Sequence, residues 1–289
     1  MALGSELPRL SGYPFDVRYS AGALARARAM ADITAAAYSY FSARFSGVEP
    51  DISVVVADEG DWPDDGPSFG MPFFSEVRGE RPGVLVMPVG AGDFWDSMAR
   101  GLLDGAVADE TRLATVYSNS SGGVDFQPFV DLLTLHELAH SFEVLGELNL
   151  PTQWLGELFA NLALHTFVAT RRPADLDLLE TFALVGVGNE ALSARMRAGE
   201  YHTLDEFEAH YPGSEEPIGW LNYVWFQCRF QRLAAAMYEA DGEEVLGRLW
   251  DCFHAIEHAN AGIDPARSLA QIVSDEVGPT LGRAVLAWR

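Results

Sequence analysis

Two short stretches carry the residues whose types and spacing suit chemistry. His136-Glu137-Leu138-Ala139-His140 is an H-E-x-x-H arrangement, and Trp154-Leu155-Gly156-Glu157-Leu158-Phe159-Ala160-Asn161 follows it. Imidazoles four residues apart on a helix lie one turn apart on one face, with Cβ atoms about 5–6 Å apart. At that spacing both can ligate one tetrahedral zinc ion. Glu137 is rotated roughly 100° from His136 on the same helix, which takes it out of the ligand set. It is placed instead to take a proton from a water, the task of a general base. A catalytic zinc needs three protein ligands and an open position. The third ligand is expected at Glu157, seventeen residues after His140. Asn161 shares the helical face of Glu157, and its amide oxygen is expected to accept the free ring N–H of a ligating histidine and so fix its tautomer.

These residues need two helices to hold them. Residues 129–143 place apolar side chains at Phe129, Leu132, Leu133, Leu135, Leu138, Ala139 and Phe142, a broad helical spacing that predicts a mostly buried helix. A second helix is expected over 152–170, after a turn marked by Gly146, Asn149 and Pro151, and ended by Arg171-Arg172-Pro173. An apolar helix has little room for polar groups without partners, so histidines that serve no ligand are the poorer reading of this context.

The pair HELAH and WLGELFAN resembles the gluzincin branch of zinc metallopeptidases, which includes thermolysin-like and aminopeptidase-N-like enzymes. The resemblance implies zinc as cofactor, ligands at His136, His140 and Glu157, Glu137 as the base, and hydrolysis of peptide bonds by metal-activated water. It also implies a zincin-like lobe whose edge strand pairs with an extended peptide or protein substrate. Gluzincins often carry Asp four residues after the ligand Glu; here it is Asn161, which supports a histidine without adding charge. The aminopeptidases carry a Gly-Ala-Met-Glu-Asn stretch upstream of the zinc motif, and this chain has no counterpart to it. Related gluzincins place a Tyr or His oxyanion donor at about the interval that separates Tyr223 from Glu157, so Tyr223 is the expected donor. The competing reading of Tyr223 is a core tyrosine beside Trp220, Trp225 and Phe226; Tyr211, His210 and His202 are the reserve donors. Two other functions share the motif: a non-catalytic, zinc-stabilised peptide-binding protein, and a zinc hydrolase of a non-peptide amide or epoxide. Glu137 favours an enzyme, because metal binding alone needs no carboxylate at that position.

The expected fold class is α+β. A small mixed α/β N-terminal lobe would span 1–128, and 129–289 would hold the zinc-motif helix and a helical C-terminal lobe, with the active site between the lobes. In the first part, 21–45 reads as an Ala-rich helix and Ile52–Ala57 as a strand. The stretch 58–83 reads as a long loop with a short strand near Phe73–Val77, Val84–Val89 as a second strand, and 91–112 as a helix with weak points at Gly101 and Gly105. Val84–Val89 or Ala114–Tyr117 would be the edge strand. Ser118–Gly123 reads as a polar connector without the Gly-Lys pattern of a phosphate loop. After residue 170 the chain reads as helical, with a capping box at Thr203-Leu204-Asp205-Glu206 and long helices over Ile218–Ala240 and Glu243–Ala259. One or two more helices are expected over 266–287.

Composition excludes some partners. The 289 residues carry a net charge of −23, which repels nucleic acid and anionic membranes. Such a charge suits a solubility coat better than recognition of cationic substrates. No apolar run is long enough to span a membrane, the N-terminus does not read as a secretory signal, and Cys228 and Cys252 are too few for a disulfide framework. A cytoplasmic location is the resulting expectation. A second motif, His254-Ala255-Ile256-Glu257-His258, matches the inverted H-x-x-E-H pattern but leaves little chain for a third ligand, and reads as a solvated helix face.

Overall fold

A computed structural model describes residues 6–75, 82–105, 110–119, 123–197, 200–212, 214–258 and 268–288. The fold is α+β: a five-stranded mixed sheet in the N-terminal part, followed by a mostly helical C-terminal region. Backbone contacts divide the chain into two compact units, one of residues 1–101 and 117–147, the other of 102–116 and 148–289.

In the first unit the strands β1 (Arg9–Leu10), β2 (Asp16–Tyr19), β3 (Ile52–Ala57), β4 (Phe73–Ser75) and β5 (Gly83–Pro88) lie in the order β1-β2-β3-β5-β4. β2, β3 and β5 are parallel, while β1 and β4 pair antiparallel with their neighbours. β3 and β5 are apolar along almost their whole length because both faces are covered. β5 is hydrogen-bonded on both sides, so Val84–Val89 is an inner strand and not the expected edge. Pro88 misleads here: it is the last residue of the strand, opposite Ala57, where a missing N–H costs no interior rung. The other candidate edge, Ala114–Tyr117, begins inside helix α3 (Glu110–Val116). The strand that does lie at the edge beside β5 is β4.

Helices α1 (Leu24–Arg44) and α4 (Gln127–Leu145) pack on this sheet, and α4 carries the H-E-x-x-H motif. Phe142 of α4 is set among Tyr38, Phe41 and Phe45 of α1, with ring centroids 5.3, 5.8 and 5.5 Å away. Arg26 of α1 pairs with Asp131 of α4 and donates to the Pro88 carbonyl at 3.3 Å, tying both helices to the end of β5. At the other end of β5 the packing is close at Gly83, where a Cβ would lie 2.6 Å from the Phe74 ring and 3.1 Å from Leu145 of α4. The helix expected over 91–112 is two helices, α2 (Gly92–Gly105) and α3, and 106–109 lie outside the described residues.

The second unit holds α3, α5 (Gln153–Arg171), α6 (Leu176–Gly188), α7 (Glu190–Arg197), α8 (Leu204–Ala209), α9 (Trp220–Asp241), α10 (Glu244–His258), α11 (Leu269–Glu276) and α12 (Pro279–Ala287). Every residue of α5 from Trp154 to Val168 is buried, which makes it the axis of the unit. Its main neighbour is α9. The side-chain pairs Tyr223–Glu157, Gln227–Asn161 and Gln231–His165 all keep one sequence offset, so the two helices run in the same direction. The capping box at Thr203 and Glu206 opens α8 as expected from sequence. In the inverted motif, the His254 ring stacks on Trp250 at 5.3 Å, and the His258 side chain lies outside the described residues. Among the described residues no helix is long and apolar enough to cross a membrane.

Candidate metal centre

The two histidines of α4 meet through their outer ring nitrogens. His136 is buried, and its Nε2 lies 3.1 Å from Nε2 of His140. The other nitrogen of His140, Nδ1, lies 2.8 Å from Oε2 of Glu143, one turn along the helix. A proton held on Nδ1 toward that carboxylate leaves Nε2 a lone pair, the state in which imidazole ligates a metal. Two nitrogens bound to one tetrahedral zinc at the usual bond length would be ~3.3 Å apart, close to the separation present. One ligand atom from each of His136, His140 and Glu157 lies within 4.8 Å of the other two. Two imidazole nitrogens and a carboxylate oxygen form a donor set suited to a divalent ion, and three ligands leave a position open. The residues therefore fit the metal that the motif implies.

Glu157 is 2% exposed, and a carboxylate so far out of water needs hydrogen-bond donors. It has three. The hydroxyls of Tyr211 and Tyr223 donate to Oε1 at 2.7 and 2.9 Å, and Nε2 of Gln227 donates to Oε2 at 2.7 Å. Gln227 is held in turn, because Nδ2 of Asn161 donates to its Oε1 at 2.8 Å and also to the Glu157 backbone carbonyl at 2.8 Å. That pins the Gln227 amide with its donor toward Glu157. The support from Asn161 thus reaches the carboxylate through Gln227. Both tyrosines meet Oε1 and the amide meets Oε2.

Aromatic stacking places Tyr223. Its ring lies between Trp220, at 5.4 Å, and Phe207, at 6.0 Å, both near parallel. Tyr211 follows α8 and packs on the same Phe207 at 5.6 Å. The reserve histidines are spent elsewhere: His210 stacks on Tyr201 at 4.0 Å, and His202 lies edge-on to Trp225 at 6.4 Å.

Glu137 points to the edge of the sheet, where its Oε2 accepts the backbone N–H of Phe74 at 3.0 Å. Phe74 is the middle residue of β4, and in an antiparallel pair alternate residues turn their backbone groups away from the partner strand. The expected base is therefore bonded to the outward-facing N–H of the edge strand. Two contributors were not anticipated from sequence, Glu143 and Gln227. Each carries a readable signal: Glu143 is three residues after His140, and Gln227 is four after Tyr223, hence on the same helix faces.

Further along α5, His165 is also 2% exposed. Burial, and then the charge of Arg232, push its pKa down to about 4. Its Nδ1 lies 3.1 Å from Nε2 of Gln231 and 3.9 Å from Glu180, a carboxyl whose pKa burial raises. Cys228 and Cys252 are free thiols, and burial pushes the Cys228 thiol up. The chain matches no protein-family model, no curated protein and no solved structure.

Proposed function

We propose that this protein is a zinc-dependent metallopeptidase, hydrolysing peptide bonds with water activated at the His136, His140 and Glu157 centre. The observation that carries this reading is the two-histidine, one-glutamate set with a further carboxylate, Glu137, adjacent in sequence to a ligand but bonded to the edge strand. Bound zinc would supply Lewis acidity, polarising a carbonyl and bringing the pKa of water to about 7. Glu143 holds the His140 ring in its ligating orientation. Tyr211, Gln227 and Asn161 hold the Glu157 carboxylate. Glu137 takes the proton of the attacking water and returns it to the leaving amine. Tyr223, whose hydroxyl already lies beside the ligand carboxylate, donates to the oxyanion that forms at the scissile carbonyl. The substrate is a peptide or protein, and β4, the edge strand whose Phe74 N–H meets Glu137, is the strand available to line it up.

The test is turnover of a quenched fluorescent peptide library with zinc and with a chelator. Cleavage that the chelator abolishes and zinc restores is the expected result. Glu137→Gln should retain the metal and lose at least two orders of magnitude in turnover, the lower end of the range for general acid–base catalysis. Metal binding without cleavage of any library member would leave a peptide-binding protein. Full activity of Glu137→Gln would remove Glu137 from the base role.

A further inference from the structure

Basic residues are scarce in this chain, 19 against 42 acidic ones, so an arginine has ample choice of carboxylate partners. Arg18, Arg26, Arg172 and Arg248 each take an aspartate. Arg197 and Arg229 do not. The guanidinium of Arg229, on α9, lies 4.0 Å from the ring centre of Trp288 and 5.0 Å from that of Trp225. The guanidinium of Arg197, at the end of α7, lies 5.7 Å from the same Trp225 ring. Among the described residues neither arginine meets a carboxylate, and Nε of Arg197 is buried with no hydrogen-bond partner. Burial, and then the like charge of Arg197, lower the pKa of Arg229, so the pair is held together at an electrostatic cost.

The aromatic plates beneath are fixed. Nε1 of Trp225 donates to Oγ of Ser193 at 2.8 Å, and Nε1 of Trp288 donates to the His202 carbonyl at 2.8 Å. Trp225 and Arg229 are four residues apart on α9, on a face rotated well away from that of Tyr223 and Gln227, so this cluster is separate from the metal centre. Stacking on indole orients a guanidinium but leaves its in-plane N–H groups without acceptors. Both guanidiniums lie within 5.7 Å of the Trp225 ring centre, and an oxyanion drawn to the two forks would offset the repulsion between them and accept their hydrogen bonds.

We propose that Arg197 and Arg229, seated on Trp225 and Trp288, form a binding site for an oxyanion, the carboxylate or phosphate group of a small ligand. The proposal is independent of the metallopeptidase reading.

The experiment titrates the full chain with inorganic phosphate and, separately, with citrate, at constant ionic strength kept by chloride, and follows binding by calorimetry and tryptophan fluorescence. Saturable binding of at least one anion is expected, weakened at least about tenfold, or about 1.4 kcal/mol, in Arg229→Gln and in Arg197→Gln. Circular dichroism checks that the variants fold, and Arg229→Lys and Arg197→Lys stand in for any that do not, retaining charge but losing the fork. Saturation with phosphate alone assigns a phosphate ligand, with citrate alone a carboxylate ligand, and with both a general oxyanion site. A response that only tracks ionic strength, or saturable binding unchanged in all these variants, overturns the proposal.

Discussion

Glu157 and His165 lie eight residues apart on α5, both 2% exposed, and both reach across to α9. Their surroundings ask opposite things of them. Around Glu157 the facing helix and the residue after α8 supply three donors, two hydroxyls and an amide, which suit a group that stays ionised. Around His165 there are one amide, a nearby arginine and, 3.9 Å away, the Glu180 carboxyl, whose own pKa burial raises. Burial first, then the arginine, drives the imidazole neutral. Between them, Asn161 and Gln227 close the ladder. The same helix pair and the same four-residue spacing therefore build a seat for charge at one end and a seat that rejects charge at the other. The number and type of donors decide which, because burial is equal.

Breaking the donor set at the charged end should give the largest effect. Tyr223→Phe deletes one of the two hydroxyls on Oε1 while leaving the ring stack in place. It should lower kcat by about 10²–10³, or ~2.7–4 kcal/mol, the cost of removing one oxyanion donor. Metal content should be little changed, which steady-state kinetics alongside metal analysis would show. An equal loss of metal would make Tyr223 a holder of Glu157 only.

The neutral end should reveal itself through pH. The folded pKa of His165 is depressed to about 4 from the ordinary 6.5, so the unfolded chain takes up the proton first as pH falls. The stability this group contributes is complete above about pH 6.5 and is lost as pH drops toward 4, amounting to at most about 3 kcal/mol. Denaturant midpoints compared between wild type and His165→Gln should diverge across that window, with the variant less sensitive to acid. Parallel curves would place the acid sensitivity elsewhere. The middle of the ladder should give the smallest effect. Gln227→Met removes the amide that links Asn161 to Glu157 and should weaken metal affinity by about 10–100-fold, as loss of an outer partner does, with the fold intact.

Much of the charged end is legible in the sequence, because H-E-x-x-H and E-x-x-x-N repeat at helical spacing within apolar runs, and the polar positions stand out. The parallel register of α5 and α9 is not, since a long connection separates them and nothing local sets their direction. That is why Gln227 and Gln231 could not be paired with Asn161 and His165 beforehand. In the sheet, the long apolar runs of β3 and β5 are plain, whereas β1 and β4 have two and three residues, too short for an alternating pattern. The sequence does point to a short strand near Phe73–Val77, which is β4, but nothing local says that it and not β5 lies at the edge, and Pro88 points to the wrong strand.

The most direct test of the account is metal stoichiometry by calorimetry and elemental analysis on the full chain, set against Glu157→Gln, which keeps the shape of the side chain and removes its charge. The account predicts one zinc per wild-type chain and an affinity loss in Glu157→Gln larger than the roughly 10–100-fold expected of any outer partner. Unchanged zinc binding in Glu157→Gln would contradict it.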